Sequence, residues 1–379
     1  MSIGNILLAL LVFSFIVIFH EFGHFIVAKY NKVDVIEFSL GMGPRLISLA
    51  KSEAGRKVLF FKSNNYFDEH KEYAPYTVYS WKILPFGGSC MMLGEEEEVE
   101  NDNSFSKKSV YARMAIIFAG PFFNFILAFI LAIILIGTVG YNPATVVTME
   151  ENSPMIEAGV QGGDVIKEIN GEKIVISGEV GFYMALHPLD GSPVEMTFDR
   201  NGEEYTKTIT PVAVQQQDGT QVYRLGFGYG SRQKVGVWKT IGYAAYEVKY
   251  WMSAVVKSLG QMITGHVSRK DVSGPVGIVK LVGNSVTESK KAGEKTGTSV
   301  QNVILTLINL SIMLTANLGV MNLIPIPALD GGRLVFLIAE WIRKKPLPQK
   351  FEGYTNAAGF MLLMALMVFI LVNDVINMI

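Results

Sequence analysis

Three ionisable side chains, His20, Glu21 and His24, sit inside the apolar stretch "IVIFHEFGHFI" that runs from Ile16 to Ile26. Two histidines four residues apart project from one face of a helix, one turn apart, where a nitrogen from each can hold a single metal ion. The glutamate that follows the first histidine is placed to take a proton from a water that the metal polarises. Ionisable groups inside a helix of membrane length are costly unless a partner compensates them, and a bound cation is such a partner.

A catalytic zinc ion needs a third protein ligand and one open position. The candidates are His70, His187, His266 and the carboxylates. Asp330 stands out among them, because it closes the apolar run that ends in "NLIPIPALDGG". Pro325 and Pro327 interrupt a helix there, while Gly331 and Gly332 permit close backbone approach. Irregular backbone at membrane depth is tolerated where it lines a protein site or a wet cavity. Asp330 is therefore the expected third ligand; the competing reading is a plain Pro-Gly span end with Asp330 as its cap.

Half of the 379 residues are hydrophobic. They gather in blocks at Ile3 to Ala28, Met114 to Gly140, Val303 to Leu329 and Thr355 to Asn373. Each is long enough to cross a hydrocarbon layer about 30 Å thick, which takes about 20 helical residues. The expected class is a multi-span α-helical membrane protein with the lipid bilayer as its surroundings. The first block has neither a basic segment before it nor a small-residue cleavage site after it, so it reads as a retained span. A net charge of −1 gives no reason to expect nucleic acid. The single cysteine, Cys90, excludes an internal disulfide and a cysteine-built metal site, and reads as a small apolar residue.

Between the blocks the chain changes character. The expected order is a first span at 1–30, a cytoplasmic or membrane-reentrant β region at 31–112 and a second span at 113–140. A soluble α+β module follows at 141–230, then an amphipathic helix and connector at 231–300. A third span at 301–330, a cytoplasmic basic loop at 331–354 and a fourth span at 355–379 complete the chain. β-branched and aromatic runs such as "RKVLFFK" and "YTVYSWKILPF" predict a small sheet or hairpin near the membrane. The helix around Val237 to Leu259 is apolar on one face only, and it either lies on the membrane or covers the soluble module. The basic stretch "WIRKKPLPQK" predicts a cytoplasmic side for that loop and for 29–113, with the soluble module and both termini outside.

"HEFGH" in the first span together with "NLIPIPALDGG" resembles the site-2 protease family of intramembrane zinc metalloproteases. "GMGP" at Gly41, "PFGGSCMMLGE" from Pro85, "GPFFN" from Gly120 and "SGPVGI" from Ser273 are similar to the bacterial branch that regulates sigma factors. The resemblance implies zinc held by His20, His24 and Asp330, with Glu21 as general base. It further implies that Asn124 and Asn322 lie near the substrate. A strand edge in the Gly41 to Leu93 region is expected to pair with the unwound substrate, with Gly87 and Gly88 as its substrate-binding residues. Single-span membrane proteins are the implied substrates, such as anti-sigma factors or remnant signal peptides. An upstream site-1 protease would act on them first. The implied location is the inner membrane, with the active site toward the cytoplasm.

The chain departs from that pattern in an insertion that contains His70, and in Ser89 and Cys90, where the family more often has an aromatic residue and a valine. "NSPMIEAGVQGGDVIKEING" from Asn152 resembles the core of one extracytoplasmic PDZ domain, a fold that accepts an extended peptide as an added strand. The preceding "TVVTMEENSP" holds no basic residue for a terminal carboxylate, which favours a size filter over a peptide receptor. The alternative function is a membrane-tethered PDZ scaffold or chaperone that cleaves nothing.

Overall fold

The computed structural model describes residues 3–74, 76–95, 99–215, 219–265, 274–294 and 297–376. Two compact units divide it, one made of Met1–Leu131 with Gly265–Ile379 and the other of Ala132–Thr264.

The first unit begins with α1 (Ile3–Tyr30), whose unbroken apolar sequence leaves no preferred wet face. A sheet follows at once, made of β1 (Val35–Ser52), β2 (Gly55–Phe60) and β3 (Val78–Met92) in the order β2-β1-β3, all antiparallel. Leu49 pairs with Val58 on one side and Tyr79 on the other, and Ile47 pairs likewise with Phe60 and Trp81. Val58, Phe60, Tyr79 and Trp81 are all exposed, so among the described residues this face of the sheet is apolar and largely open. On the opposite face Ala50, Tyr73 and Val78 form a small core with Leu59, Tyr66 and Phe67. That core is closed by α2 (Asn64–Glu69) and a 3-10 turn at Lys71–Tyr73. His70 serves this lid: its ring stacks on Tyr66 at 4.0 Å, and its Nδ1 lies 2.8 Å from the Tyr66 carbonyl.

The chain re-enters a long helix at α3 (Val110–Val139), which carries Pro121 inside it. Gly23 of α1 makes close packing possible here, since a Cβ at that position would strike the backbone of Ala119.

The second unit builds its core from alternating strands. After β4 (Val146–Met149) and the short α4 (Pro154–Glu157) come β5 (Val165–Ile169), β6 (Glu172–Lys173), α5 (Ser177–Leu186), β7 (Val194–Arg200) and β8 (Glu203–Ile209). The main sheet has the order β6-β5-β7-β8. Two smaller sheets pair β9 (Val212–Gln215) with β10 (Gln221–Arg224), and β11 (Phe227–Tyr229) with β4. Ile166, Ile169, Met196 and Phe198 are wholly buried in the core they share.

The amphipathic segment is α6 (Val237–Ile263), which buries Thr240, Ala244, Val248 and Ala254 and lies against α5 of the same unit. Tyr250 donates to the Gly178 carbonyl at 3.1 Å, and Lys257 pairs with Glu172 at 2.6 Å.

Asp164 supplies this unit with a pH-dependent tie. The residue is buried, which alone would raise its pKa. Arg200 donates to both its oxygens at 2.7 and 2.8 Å, and Tyr205 and the Gln161 N–H donate at 2.6 and 2.7 Å. These contacts win, and they hold the carboxyl at about 2. A carboxyl whose pKa is depressed by folding stabilises the fold above its unfolded pKa of about 4 and loses that contribution as the pH falls through its folded value. Asp164→Asn is therefore expected to cost about 2 kcal/mol at neutral pH. The gap in melting temperature between this variant and the wild type, followed by near-ultraviolet circular dichroism, should close as the pH falls from about 4 to about 2.

The rest of the first unit is helical: α7 (Pro275–Glu294), α8 (Ser299–Leu323), α9 (Asp330–Arg343) and α10 (Gln349–Ile376). α1 lies against α7 and α8 through Ala9, Val282 and Leu310, and against α3 and α8 through Val12, Ile16 and Leu127. Asp374 near the end of α10 accepts the N–H groups of Gly274, Val276 and Gly277 at 2.9 to 3.1 Å, and so caps the N-terminus of α7 from outside the helix. Among the described residues, α1, α3, α8 and α10 are long and apolar enough to cross a membrane. The stretch 331–354 differs from the expected loop, since most of it is the helix α9 and the start of α10. α9 is too short to span and starts at two glycines, which is why its sequence reads as a break. Its amphipathic face nonetheless buries Leu337.

Candidate metal centre

α1 supplies His20 and His24 from one face, and both rings are buried. Their Nε2 atoms lie 3.2 Å apart. The third member arrives from the N-terminus of α9, where Asp330 Oδ2 is 3.2 Å from His20 Nε2 and 3.4 Å from His24 Nε2.

The turn before α9 is what aims Asp330. Ala328 adopts φ 75°, a left-handed conformation that costs a residue with a Cβ on the order of 1 kcal/mol or more. Gly332 lets α9 start against the backbone of Ile326 and Pro327, where a Cβ would come within 2.8 Å of a carbonyl carbon. α9 is further tied down by ion pairs from Arg333 to Glu95 and from Glu340 to Arg113, and by a hydrogen bond from Trp341 to Tyr111 at 2.7 Å.

The chemistry of these donors fits a cation. His24 Nδ1 lies 2.8 Å from the Ile116 carbonyl, which has only lone pairs to offer, so Nδ1 carries the proton. His24 Nε2 then turns a lone pair toward a carboxylate oxygen that is buried and lacks a hydrogen-bond donor. Three lone pairs that face one another repel unless something positive lies between them. Tetrahedral ligands about 2.0–2.1 Å from a zinc ion are about 3.3 Å from one another, and the separations here are 3.2, 3.2 and 3.4 Å. Gly120 of α3 leaves the room, because a Cβ there would come within 2.7 Å of Cε1 of both imidazoles. Among the described residues, these three form the one cluster of metal-ligating side chains.

Glu21 lies beside this group and turns toward the sheet. Its Oε2 accepts the Cys90 N–H at 2.9 Å. It lines a cleft of about 390 Å³ together with Ser89, Cys90, Met91 and Glu95. Gly88 leaves the strand bare there, since a Cβ would sit 3.6 Å from Glu21 Cγ, while Gly87 takes φ 78° beside Met42. Cys90 is a free thiol whose pKa is pushed up by burial, as an inert apolar residue would be. Asn124 is buried, with its amide nitrogen 3.2 Å from His20 Nδ1, and Asn322 has its own 3.5 Å from His20 Nε2. His70 and His187 stand apart from the cluster, each against a tyrosine, and His266 lies outside the described residues.

The family model of peptidase family M50 matches residues 8–63 and 70–366. The chain belongs to peptidase family M50. This is the site-2 protease family, so the protein is a metalloprotease, and the metal of its family is zinc. A Clostridium perfringens relative, named provisionally as a zinc metalloprotease, is 35% identical over 372 residues, which cover 98% of each chain. The zinc metalloprotease RasP of Bacillus licheniformis is 28% identical, over 98% of this chain and 99% of its own. Among solved structures, the PDZ domain of an SdrC-like protein from Listeria monocytogenes matches 24% of this chain and 88% of its own at 20% identity, with a TM-score of 0.20. The M50 match passes over residues 64–69, the span of α2, and resumes at His70.

Three contributors to this M50 site escape sequence reasoning. The Ile116 carbonyl is a backbone group that no side-chain pattern reports. The pair Glu95–Arg333 joins residues remote in sequence, although Glu95 ends one family motif and Arg333 follows another. Gly120 opens a motif whose glycine matters through the space it leaves.

Proposed function

We propose that this M50 peptidase hydrolyses peptide bonds within the transmembrane segments of single-span membrane proteins, with zinc on His20, His24 and Asp330 and with Glu21 as general base. The observation that carries the reading is that the buried histidine pair lies within α1, a helix of membrane length, so a substrate reaches it through the bilayer. Zinc bound there supplies a Lewis acid and lowers the pKa of a water toward about 7.

The protein's own groups have separate tasks in this reading. A peptide bond in a membrane helix is shielded by its own hydrogen bonds, so the segment must unwind before it is cut. At Cys90, β3 directs its N–H away from β1 and toward Glu21, which makes this edge available for pairing with an unwound segment. Gly87 and Gly88 keep that part of the strand free of side chains. Glu21 takes the proton of the attacking water and passes it to the leaving amine. Asn322, half-buried beside His20, would hold a backbone group of the substrate.

The orientation follows from the basic residues Arg343, Lys344, Lys345 and Lys350, which favour the cytoplasmic side for the end of α9 and for the metal site. The soluble module then faces outward in the inner membrane. There it can obstruct substrates that still carry a bulky outer domain and admit those already trimmed by a site-1 protease. In a test, purified protein in detergent is incubated with a single-span substrate and the cut is mapped by mass spectrometry. The expected cut lies within the apolar segment, and a cut confined to exposed loops would overturn the proposal. In a Cys90→Ser background, a cysteine at Lys344 should be labelled only from the cytoplasm and one at Asn201 only from outside. The reverse pattern would overturn the orientation.

A further inference from the structure

We propose that Asn124 is a positioning residue for the metal: its side-chain carbonyl accepts the Nδ1–H of His20 and thereby fixes the tautomer that turns the Nε2 lone pair toward Asp330 and His24. This assignment rests on His20 as a ligand. It gives Asn124 a task different from the substrate contact implied by the family resemblance.

The argument starts from the ring. His20 Nε2 lies 3.2 Å from both Asp330 Oδ2 and His24 Nε2, so it is the nitrogen that enters the cluster. A neutral imidazole that offers Nε2 as a lone pair carries its proton on Nδ1. His20 is buried, and a buried N–H without an acceptor costs about 1–3 kcal/mol. The group that meets Nδ1 is the Asn124 amide, at 3.2 Å. With the amide nitrogen toward the ring, Oδ1 would be buried without a partner. The two ends of an amide are nearly identical in shape, and their assignment follows the hydrogen-bond network. An amino group facing an N–H would set donor against donor, so the amide turns over and its oxygen meets His20.

The helix around Asn124 supports the same role. Ile116, Gly120 and Asn124 are spaced by four along α3, on a stripe that faces the two histidines of α1, also spaced by four. The first gives His24 Nδ1 a carbonyl at 2.8 Å, the second leaves space for the rings, and the third gives His20 its acceptor. Each ligand histidine thus has one oxygen on the same helix holding its far nitrogen, an arrangement that orients metal-ligating imidazoles and raises their basicity.

The test uses the full chain in detergent and reads zinc directly. Asn124→Leu keeps the volume and removes the acceptor, whereas Asn124→Asp keeps an acceptor. Zinc release to an excess of chelator, followed with a colorimetric indicator, should be about 10–100-fold faster in Asn124→Leu than in the wild type, and within about threefold of wild type in Asn124→Asp. The cobalt-substituted Asn124→Leu protein should lose the wild-type visible absorption pattern, and Asn124→Asp should retain it. If Asn124→Leu holds zinc and the cobalt spectrum as the wild type does while its KM rises, the residue contacts substrate and the assignment is wrong. Equal zinc release from Asn124→Asp and Asn124→Leu also overturns it. Should the leucine variant fail to fold, Asn124→Ser, too short to reach Nδ1, takes its place with the same outcomes. His20→Ala reports separately on the ligand reading: wild-type zinc retention there would remove the metal site itself.

Discussion

Glu21→Gln is expected to purify with about one zinc per chain, as the wild type does, and to cleave about 10³-fold more slowly or worse. The reason lies in what the substitution preserves. Glutamine has the shape of glutamate, and its side-chain oxygen can still accept the Cys90 N–H that Glu21 accepts at 2.9 Å. The cleft keeps its form and the ligands are untouched. What is lost is the ability to take a proton, and with it the role of general base proposed for Glu21. His24→Ala should behave in the opposite way. It removes one proposed metal ligand together with the contact to the Ile116 carbonyl at 2.8 Å, so zinc content should fall below about a tenth per chain along with activity. Metal analysis of both purified proteins beside a cleavage assay separates the two roles. Full activity in Glu21→Gln would sink the assignment of the base, and full zinc in His24→Ala would sink that of the ligand.

A single methyl group should do comparable damage at Gly120. Alanine there places a Cβ within 2.7 Å of the Cε1 atoms of both His24 and His20. Imidazole ends can swing aside at small cost in an ordinary core. Here any swing takes Nε2 out of the cluster or parts His24 from Ile116. Gly120→Ala is expected to weaken zinc binding at least about 100-fold, with cleavage falling in step, although every ligand and the base remain in place. The control lies on the same helix. A Cβ at Gly137 meets nothing within 4 Å, so Gly137→Ala should retain zinc and gain about 0.5–1 kcal/mol from the better helix former. Equilibrium dialysis against a zinc buffer measures both, and equal affinity in the two variants would show that α3 does not shape the site.

These two expectations differ in how far the sequence could have supplied them. His20, Glu21 and His24 are legible because a helix repeats every 3.6 residues and because ionisable groups in an apolar run demand a reason. Asp330 is legible from the irregular residues around it. Gly120 is not, since a glycine in a membrane helix has many ordinary uses and its value here depends on which rings face it. The spans were readable from length and apolarity alone. By contrast, α9 was hidden, because Pro325, Pro327, Gly331 and Gly332 signal a break and the basic residues after Trp341 signal a loop. Both signals are locally sound. The helix between them is held by Glu95, Arg113 and Tyr111, partners that only the folded chain brings within reach. The same holds for the polar side of α6, whose Tyr250 and Lys257 meet Gly178 and Glu172, contacts that no local pattern announces.

The distance along the chain between His24 and Asp330 gives the proposed ligand set a further meaning. More than three hundred residues separate them. A metal that joins the two is also a cross-link, closing a loop that includes the sheet, α3, the soluble module and α8. Bringing the ends of a chain together costs entropy that grows with the logarithm of the enclosed length, and an ion that binds only the closed, folded form offsets that cost through its own binding free energy. Loss of zinc would then do more than silence the chemistry. It would undo a staple between the first helix and α9, leaving α9 to its pairs with Glu95 and Arg113 and its bond to Tyr111.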